Sequence, residues 1–306
     1  MDYIYVVAGL LCLFLGGEAL VRGSVGIAKR LAMSPLLIGL TVVGFDTSTP
    51  ELLVSVNAAW RGVPDIAIGN IVGSNIANIA LIMGITALVW PIRVSGSTLR
   101  RDTGVMVFAA LALVPVFMMG EIGRLAGAML LSGLIGYLFW AYLMPGDAAE
   151  NAADDSEKPK AIVSVLWVVA GFVALIFGAR FLVDGAVSIA RDAGMSEAFI
   201  GLTIVAVGTS MPELATSVVA AFRRQSEIAI GNVIGSNIFN VLGIFGVTAV
   251  IKPIPVADRF VTFDLPVMIA VSLVMTALLL LRPTIGRKTG LALLSGYVAY
   301  VILAQG

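Results

Sequence analysis

A long segment of the chain occurs twice, and this repeat constrains the fold more than any other feature of the sequence. Residues 39–84, which begin GLTVVGFDTSTPE, align without a gap with residues 201–246, which begin GLTIVAVGTSMPE, and 26 of the 46 aligned positions are identical. The same offset of 162 residues holds upstream, where Gly23 aligns with Gly185. Two halves with equivalent structures are therefore expected.

Both halves are apolar enough to require a lipid surrounding. Hydrophobic residues make up 59% of the 306 residues and charged residues only 12%, about half the charged share of a soluble domain. Ten apolar spans, each near or above the roughly 20 residues that cross a bilayer, predict an all-α polytopic membrane protein. The spans are 3–27, 35–60, 66–90, 103–119, 124–144, 161–190, 197–222, 228–251, 260–281 and 289–304.

Five spans per half is an odd number, so the second half must enter the membrane in the opposite orientation. The predicted organisation is a five-helix repeat over 1–144, a cytoplasmic linker over 145–160 and a second, inverted five-helix repeat over 161–306. Many secondary transporters are inverted repeats with broken helices and a binding site at the repeat interface. A duplication kept only for packing is the alternative, but it does not explain why the most polar segment is the best repeated.

The charged residues predict the orientation of the chain and argue against some functions. With an outside N-terminus, 13 Lys and Arg residues fall in cytoplasmic loops and six in outer loops, so both termini are predicted outside. The polar linker is expected to be solvated, because it lacks the glycine-containing loop of an EF-type calcium sensor. The net charge is zero and there is no histidine, which argues against a nucleic-acid partner and removes the commonest general base.

Glu51 and Glu213 end the repeated phrase Thr-Ser-x-Pro-Glu. A carboxylate at mid-membrane costs at least about 2.5 kcal/mol, so it is expected to face a partner or water. No lysine or arginine lies within the two motifs, which makes a diffusible cation the expected partner. The alternative is a protonated glutamate that bridges two helices.

Pro50 and Pro212 precede these glutamates and predict breaks in helices 2 and 7. Proline lacks a backbone N–H and disfavours a helical conformation in the residue before it. Each proline is therefore expected to begin a half-helix, with Thr49 or Ser48 nearby as a cap in the first copy. The breaks would free carbonyl groups, which are ligands for hard cations such as calcium with its about six to eight oxygens. The carbonyls expected to be free are those of Gly44, Thr47, Ala206 and Thr209.

A second motif, Gly-Asn-x-x-Gly-Ser-Asn, follows in each half. Asn70, Ser74 and Asn78 are spaced four apart and share one helix face, and the second copy places Ser236 and Asn240 equivalently. Ser74, Asn78, Ser236 and Asn240 are candidate ligands because both copies could face both glutamates. For Ser74 and Asn78 the alternative is a hydrogen bond between helices, and the motif glycines are expected to let another helix approach closely.

Asp46 stands where the second copy of the first motif has Gly208. A third carboxylate in the cavity would raise cation affinity or bind a proton. Aspartate near the start of the half-helix would instead stabilise that helix by about 0.3–1 kcal/mol. A cavity-lining or capping role is favoured over that of a primary ligand.

These paired motifs resemble those of the cation/calcium exchanger superfamily, specifically the prokaryotic sodium/calcium exchangers. That family carries G-T-S-x-P-E followed by G-N-x-x-G-S-N in each of two alpha-repeats, and the resemblance covers essentially the whole chain. It implies four clustered cation sites between helices 2, 3, 7 and 8, and a gate formed by helices 1 and 6 that slides over a fixed core. It also implies a location in the prokaryotic plasma membrane.

The resemblance also implies a role for each motif residue. Calcium would bind Glu51 and Glu213 with the backbone oxygens of Thr47 and Thr209. Some family members have aspartate at the position of Asn240, so the middle site has one fewer titratable group here. The implied sodium ligands are Gly44, Ser48 and Ser236 on one side and Ala206, Ser210 and Ser74 on the other, with Asn78 and Asn240 in the middle.

The function that follows is antiport of Na⁺ and Ca²⁺ by alternating access. Two glutamates can neutralise one Ca²⁺ or two Na⁺, which are ions of similar radius. The family's exchange of three sodium ions for one calcium ion would move one net charge, which couples to voltage by about 2.3 kcal/mol per 100 mV. Antiport of Ca²⁺ and H⁺ on the same carboxylates is the nearest alternative.

Two further classes are less consistent with the sequence. A cation channel usually places its filter on an oligomer axis, whereas this site repeats within one chain. An intramembrane hydrolase would use Ser48 or Ser210 as nucleophile, but no base is apparent beside either serine. The chain is therefore predicted to be a transporter and not an enzyme, to need no cofactor and no protein partner, and to function as a monomer in the bilayer.

Overall fold

The computed structural model describes residues 2–31, 33–93, 98–144, 160–194, 206–282 and 284–304, and these are almost entirely helical. π-Helical turns interrupt several helices, among them Asn78–Ile82 and Phe239–Ile244. The helices are α1 Asp2–Leu31, α2 Pro35–Thr47, α3 Thr49–Trp60, α4 Pro64–Val89, α5 Thr98–Met118, α6 Arg124–Leu143, α7 Ala161–Asp192, α8 Ala206–Gly208, α9 Met211–Phe222, α10 Ser226–Ile251, α11 Phe260–Leu281 and α12 Arg287–Ala304.

The helix lengths agree with a chain that crosses a membrane many times. Within the described residues, seven helices are long and apolar enough to cross, and the bent pair of α2 and α3 makes an eighth. Helix α9 is apolar but shorter, with 12 residues, and α12 has 18. Residues 197–205 of the predicted seventh span and residues 145–159 of the predicted linker lie outside the described residues, so the ten-span count stays a prediction.

Both motif prolines lie in the first turn of a half-helix. Helix α2 meets α3 at an angle of 44°, and Pro50 follows directly after the first residue of α3. In the second half, α8 ends at Gly208 and α9 begins at Met211 with Pro212 in its first turn. The missing N–H of proline explains both breaks.

The two longest helices, α1 and α7, pack against each other through glycine. A Cβ atom on Gly16 would lie 2.9 Å from the backbone nitrogen of Leu175, and one on Gly178 would lie 2.8 Å from that of Leu13. The backbones are therefore in direct contact, and no larger residue fits at these positions. The repeat predicted only that Gly23 and Gly185 are equivalent, and the seven-residue spacing that marks the seam was not predicted. The seam glycines are Gly9, Gly16 and Gly23 in α1 and Gly171, Gly178 and Gly185 in α7.

Two short sheets join the halves, and each sheet has one strand from each half. Strand β1, Ile92–Arg93, pairs with β4, Thr284–Ile285, and β2, Glu121–Ile122, pairs with β3, Ile254–Pro255, both in antiparallel fashion. Since residue 92 aligns with residue 254 under the offset of 162, the first strand of each half pairs with the second strand of the other. Exchange of this kind is what a two-fold relation between the halves produces.

The last two helices of each half are joined by an equivalent polar contact. Tyr137 of α6 donates a hydrogen bond to Asp102 of α5 at 3.1 Å, and Tyr300 of α12 donates one to Asp264 of α11 at 2.9 Å. An arginine accompanies each carboxylate at 2.7 and 3.2 Å. These contacts hold the outer helices around the centre, where the motif segments lie.

The motif helices α2 and α10 approach each other closely at the centre. A Cβ atom on Gly231 would lie 2.5 Å from the carbonyl oxygen of Leu36, and one on Gly235 would overlap the carbonyl of Leu40. The close approach predicted from the motif glycines is confirmed for this pair, and it brings the end of α2 next to the polar face of α10. The prediction is wrong for the first copy, where a Cβ atom on Gly73 would meet nothing within 4 Å in the described structure and one on Gly69 would meet only Phe260 at 3.9 Å.

Candidate cation site

The two motif glutamates lie in one buried cluster and are bound by serines of the opposite half. Ser48 donates to Glu213 Oε1 at 3.1 Å, and Ser210 donates to Glu51 Oε1 at 3.2 Å. The glutamates are 0% and 1% exposed. The sequence predicted that the two carboxylates meet, but it gave no sign that each serine would cross to the other half.

Each carboxylate keeps an oxygen that no group of the described residues satisfies. Glu51 Oε2 and Glu213 Oε2 are both buried without a hydrogen-bond partner, and neither glutamate takes part in an ion pair in the described part of the chain. A proton on either of these oxygens would find no acceptor, so a neutral glutamate that only bridges two helices explains the arrangement poorly. A cation would satisfy both oxygens at once.

Asn78 and Asn240 add two more unsatisfied side chains. They are 1% and 0% exposed, and neither the oxygen nor the nitrogen of either amide has a partner in the part of the chain that the structure describes. Each lies within a π-helical turn, a local geometry that is frequent at functional sites. Two buried amides without partners are expected only where they face a ligand or water.

On the first predicted sodium side, residues of the two halves meet at the carbonyl group of Gly44. Ser236 Oγ of α10 and Thr47 Oγ1 both lie 3.5 Å from the Gly44 carbonyl oxygen. The same carbonyl accepts the N–H of Ser48 at 3.2 Å, so it is not left free by the break as the sequence predicted.

On the second predicted sodium side, Ser74 Oγ donates to the Asn70 carbonyl of its own helix at 2.6 Å. Thr209 and Ser210 form the turn between α8 and α9, and Ala206 is the first residue of α8.

The capping hydrogen bond predicted for the first half-helix is absent, and the second half-helix shows the same arrangement. Ser48 and Ser210 occupy the N-cap positions of α3 and α9, but neither side chain makes a capping hydrogen bond. Their hydroxyls donate to the glutamates instead. The capping prediction is wrong because the same hydroxyl is used to bind the buried carboxylate of the other half.

Asp46 lies on the wall of a cavity of about 380 Å³ between α2, α6 and α10. The cavity is mostly apolar, with Phe45, Tyr137 and Phe239 among its walls. Within the described residues Asp46 is half-buried and its side chain makes no hydrogen bond, so no capping contact is seen.

Asn70 and Asn232 were missed as site residues. Asn232 donates to the Glu213 carbonyl at 3.2 Å and to Ser217 at 2.9 Å, and Asn70 donates to the Glu51 carbonyl at 3.0 Å and to Ser55 at 2.9 Å. A signal was present, because both the asparagine and its serine partner are identical in the two copies of the repeat.

Comparisons with known proteins agree with this geometry. The family model described as "Sodium/calcium exchanger protein" matches residues 1–143 and 163–305. CaxA from Alkalimonas amylolytica is 37% identical over 98% of this chain and 97% of its own length. The sodium/calcium exchanger MaX1 from Methanosarcina acetivorans is 31% identical over 99% of this chain and 98% of its own length.

A solved structure of the sodium-calcium exchanger NCX_Mj, soaked with Na⁺ and no Ca²⁺, superposes with a TM-score of 0.85. It is 32% identical and covers 98% of both chains. Sequence, fold and the buried carboxylate pair therefore agree. The chain belongs to the sodium/calcium exchanger family and is an integral membrane protein.

Proposed function

We propose that this chain is a secondary antiporter that exchanges Na⁺ for Ca²⁺ across the membrane by alternating access. The observation that carries the proposal is the reciprocal bonding of Ser48 to Glu213 and of Ser210 to Glu51. It places two carboxylates in one buried cluster with an unpartnered oxygen on each. The relatives named as sodium/calcium exchangers support the choice of ions.

In this proposal the ions bind oxygen atoms contributed by both halves. Calcium binds Glu51 and Glu213 with the backbone oxygens of Thr47 and Thr209. Asn78 and Asn240 complete the middle of the cluster with their unpartnered amides. Sodium occupies the flanking positions, at Gly44, Ser48 and Ser236 on one side and at Ala206, Ser210 and Ser74 on the other.

Coupling follows from the charge of the cluster. Two carboxylates without a protein cation are costly to enclose in a low-dielectric interior. The protein is therefore expected to switch between its inward-facing and outward-facing states only when cations neutralise them. One Ca²⁺ or two Na⁺ satisfy that requirement, and a third Na⁺ would carry one net charge through the membrane. The exchange is therefore expected to be electrogenic, with about 2.3 kcal/mol per charge per 100 mV.

The part that moves is expected to be the α1–α7 pair. The glycine seam makes these two helices a unit whose backbones cannot separate without losing direct contact. Two inverted five-helix repeats, 1–144 and 161–306, would then alternate the access to the site. Both termini are placed outside by the lysine and arginine distribution, and the chain acts as a monomer.

Antiport of Ca²⁺ and H⁺ is the second candidate, and the same unpartnered oxygens favour it. Glu51 Oε2 and Glu213 Oε2 have no donor in the described structure, and two protons would neutralise the pair as two sodium ions would. Sodium dependence at fixed pH separates the two candidates.

Uptake of radioactive calcium into proteoliposomes tests the proposal. Vesicles loaded with Na⁺ and diluted into Na⁺-free buffer are expected to accumulate calcium, while vesicles loaded with K⁺ are not. An imposed pH gradient without sodium is the third arm. Uptake driven by the pH gradient alone would favour the proton candidate, and uptake that needs no counter-ion would indicate a channel. A membrane potential that accelerates sodium-driven uptake would establish the electrogenic part.

A further inference from the structure

We infer that Asn232 and Asn70 are positioning residues that hold the calcium ligands in place and so set calcium affinity separately from sodium affinity. The inference rests on the proposed function and deepens it. Neither asparagine is expected to bind an ion directly. Each acts through the backbone and side chains of the half-helix that carries a glutamate.

Asn232 uses its whole amide to connect three groups. Its nitrogen donates to the Glu213 carbonyl at 3.2 Å and to Ser217 Oγ at 2.9 Å, while its oxygen accepts from Thr47 Oγ1 at 3.1 Å. The residue is fully buried. An amide has two donors on one end and an acceptor on the other, so aspartate would lose both donated bonds and leucine would lose all three.

These bonds join the two halves of the chain at the proposed calcium ligands. Glu213 belongs to the second half and Thr47 to the first, yet both are bonded to the same side chain. By fixing Glu213 and Ser217, one turn apart in α9, Asn232 fixes the direction from which the carboxylate leaves the helix. By holding the hydroxyl of Thr47, it restricts the residue whose carbonyl is proposed to face calcium.

Asn70 makes the equivalent clamp in the first half. It donates to the Glu51 carbonyl at 3.0 Å and to Ser55 Oγ at 2.9 Å. The sequence separations are 19 and 15 residues in both halves. Each proposed calcium carboxylate therefore belongs to a helical turn that an asparagine side chain ties to the neighbouring helix.

Calcium is expected to depend on these clamps more than sodium. Its binding requires both carboxylates and the threonine carbonyls to converge on one point, whereas the proposed sodium ligands Ser236 and Ser74 are not bonded to an asparagine side chain. Removing a group that orients a metal ligand typically lowers metal affinity by about 10–100-fold. Asn232→Ala is therefore expected to raise the KM for calcium by about tenfold or more, and the half-saturating sodium concentration by a smaller factor.

The chain offers a control in Asn75. It lies in the same helix as Asn70, is 2% exposed, and donates to the Ile71 carbonyl of its own helix at 2.7 Å. Asn75→Ala is expected to leave the ratio of the calcium KM to the half-saturating sodium concentration unchanged. Thr47→Val removes only the hydroxyl and keeps the carbonyl, so it tests the same link with little risk to folding.

The experiment measures the KM for calcium and the half-saturating sodium concentration in proteoliposomes. Calcium binding is measured in detergent by calorimetry. A selective loss of calcium affinity in Asn232→Ala and Thr47→Val, with no further loss when the two are combined, supports the inference, because linked residues are not additive. Equal changes in both constants, or a ratio that Asn75→Ala shifts as much, overturn it. If the wild-type protein neither binds nor takes up calcium, the proposed function itself fails and the inference fails with it.

Discussion

Asp46 in the first half and Gly208 in the second are equivalent in the repeat but have different surroundings. Asp46 borders a cavity of about 380 Å³ beside α6 and α10. Gly208 packs so closely on α7 that a Cβ atom there would overlap Val183. Glu18 of α1 and its equivalent Arg180 of α7 also differ, since Glu18 binds Arg223 at 2.6 Å whereas Arg180 lies 3.8 Å from Asp184.

The bonds that hold the two glutamates do not differ in this way. The serine–glutamate bonds are 3.1 and 3.2 Å in the two directions, and each asparagine clamp binds the glutamate carbonyl and a serine at equivalent positions, with Asn232 also accepting from Thr47. A site that takes one carboxylate from each half requires this agreement. The contacts of α1 and α7 with the rest of the chain carry no such requirement, and it is there that the halves diverge.

The largest effect is expected from removing one of the central charges. Glu51→Gln and Glu213→Gln should each abolish calcium uptake, with a loss of at least about 100-fold, because the affinity of a calcium site depends strongly on its charge count. The agreement between the halves predicts that the two losses are equal. Radioactive calcium uptake with matched protein content measures them, and a variant that retains most of its activity would remove that residue from the site.

The seam between α1 and α7 should also respond equally from both sides. Gly16→Ala and Gly178→Ala each place a Cβ atom within 2.9 Å of a backbone nitrogen in the other helix, so each is expected to destabilise the fold by about 1–3 kcal/mol through overpacking. Thermal unfolding in detergent measures the change. Gly136→Ala is the control, since within the described structure no atom lies within 4 Å of the added carbon. A difference between the two seam variants would show that the seam is not reciprocal.

The third prediction concerns Asp46 and Gly208, which are equivalent in the repeat but are expected to respond unequally to substitution. Gly208→Ala is expected to cost about 1 kcal/mol, at the lower end of overpacking penalties, because Val183 can adjust its side chain. Asp46→Gly removes a side chain that has no hydrogen bond in the described structure, so it should change stability by less than about 0.5 kcal/mol. Calcium uptake should persist in Asp46→Gly. A loss of uptake in that variant would make Asp46 a primary ligand.

The sequence predicted the features that follow from local chemistry and from the repeat itself. The helix break at Pro50 follows from the missing N–H, and the convergence of Glu51 with Glu213 follows from their equal places in the two copies. The destination of the Ser48 hydroxyl could not be predicted, because a serine two residues before a proline is equally suited to cap the half-helix. That choice depends on a carboxylate 165 residues away, which only the folded chain brings within reach.

The seam and the clamps were missed for different reasons. The seven-residue spacing of Gly9, Gly16 and Gly23 was visible in the sequence, but glycine is common in membrane helices and the spacing gains meaning only when the other half shows the same. Asn70 was placed on the polar face of α4 as one of three similar residues. Its partner Ser55 lies in another half-helix, so nothing local distinguished it from Ser74 or Asn78.

The smallest effect is expected at the ion pair that is present in one half only. Glu18 and Arg223 form a two-point contact at 2.6 and 2.8 Å, but the arginine side chain is 55% exposed. An exposed pair of this kind contributes about 0.2–1 kcal/mol. Glu18→Gln should therefore lower the unfolding temperature slightly, and Arg180→Gln should leave it unchanged because its contact is longer and more exposed. The difference should shrink when ionic strength is raised with choline chloride, which adds charge screening without adding sodium to the proposed site. If Arg180→Gln destabilised the protein as much as Glu18→Gln, the asymmetry between α1 and α7 would have no energetic basis at these residues, and the difference between the halves would reduce to the contacts of Asp46 and Gly208.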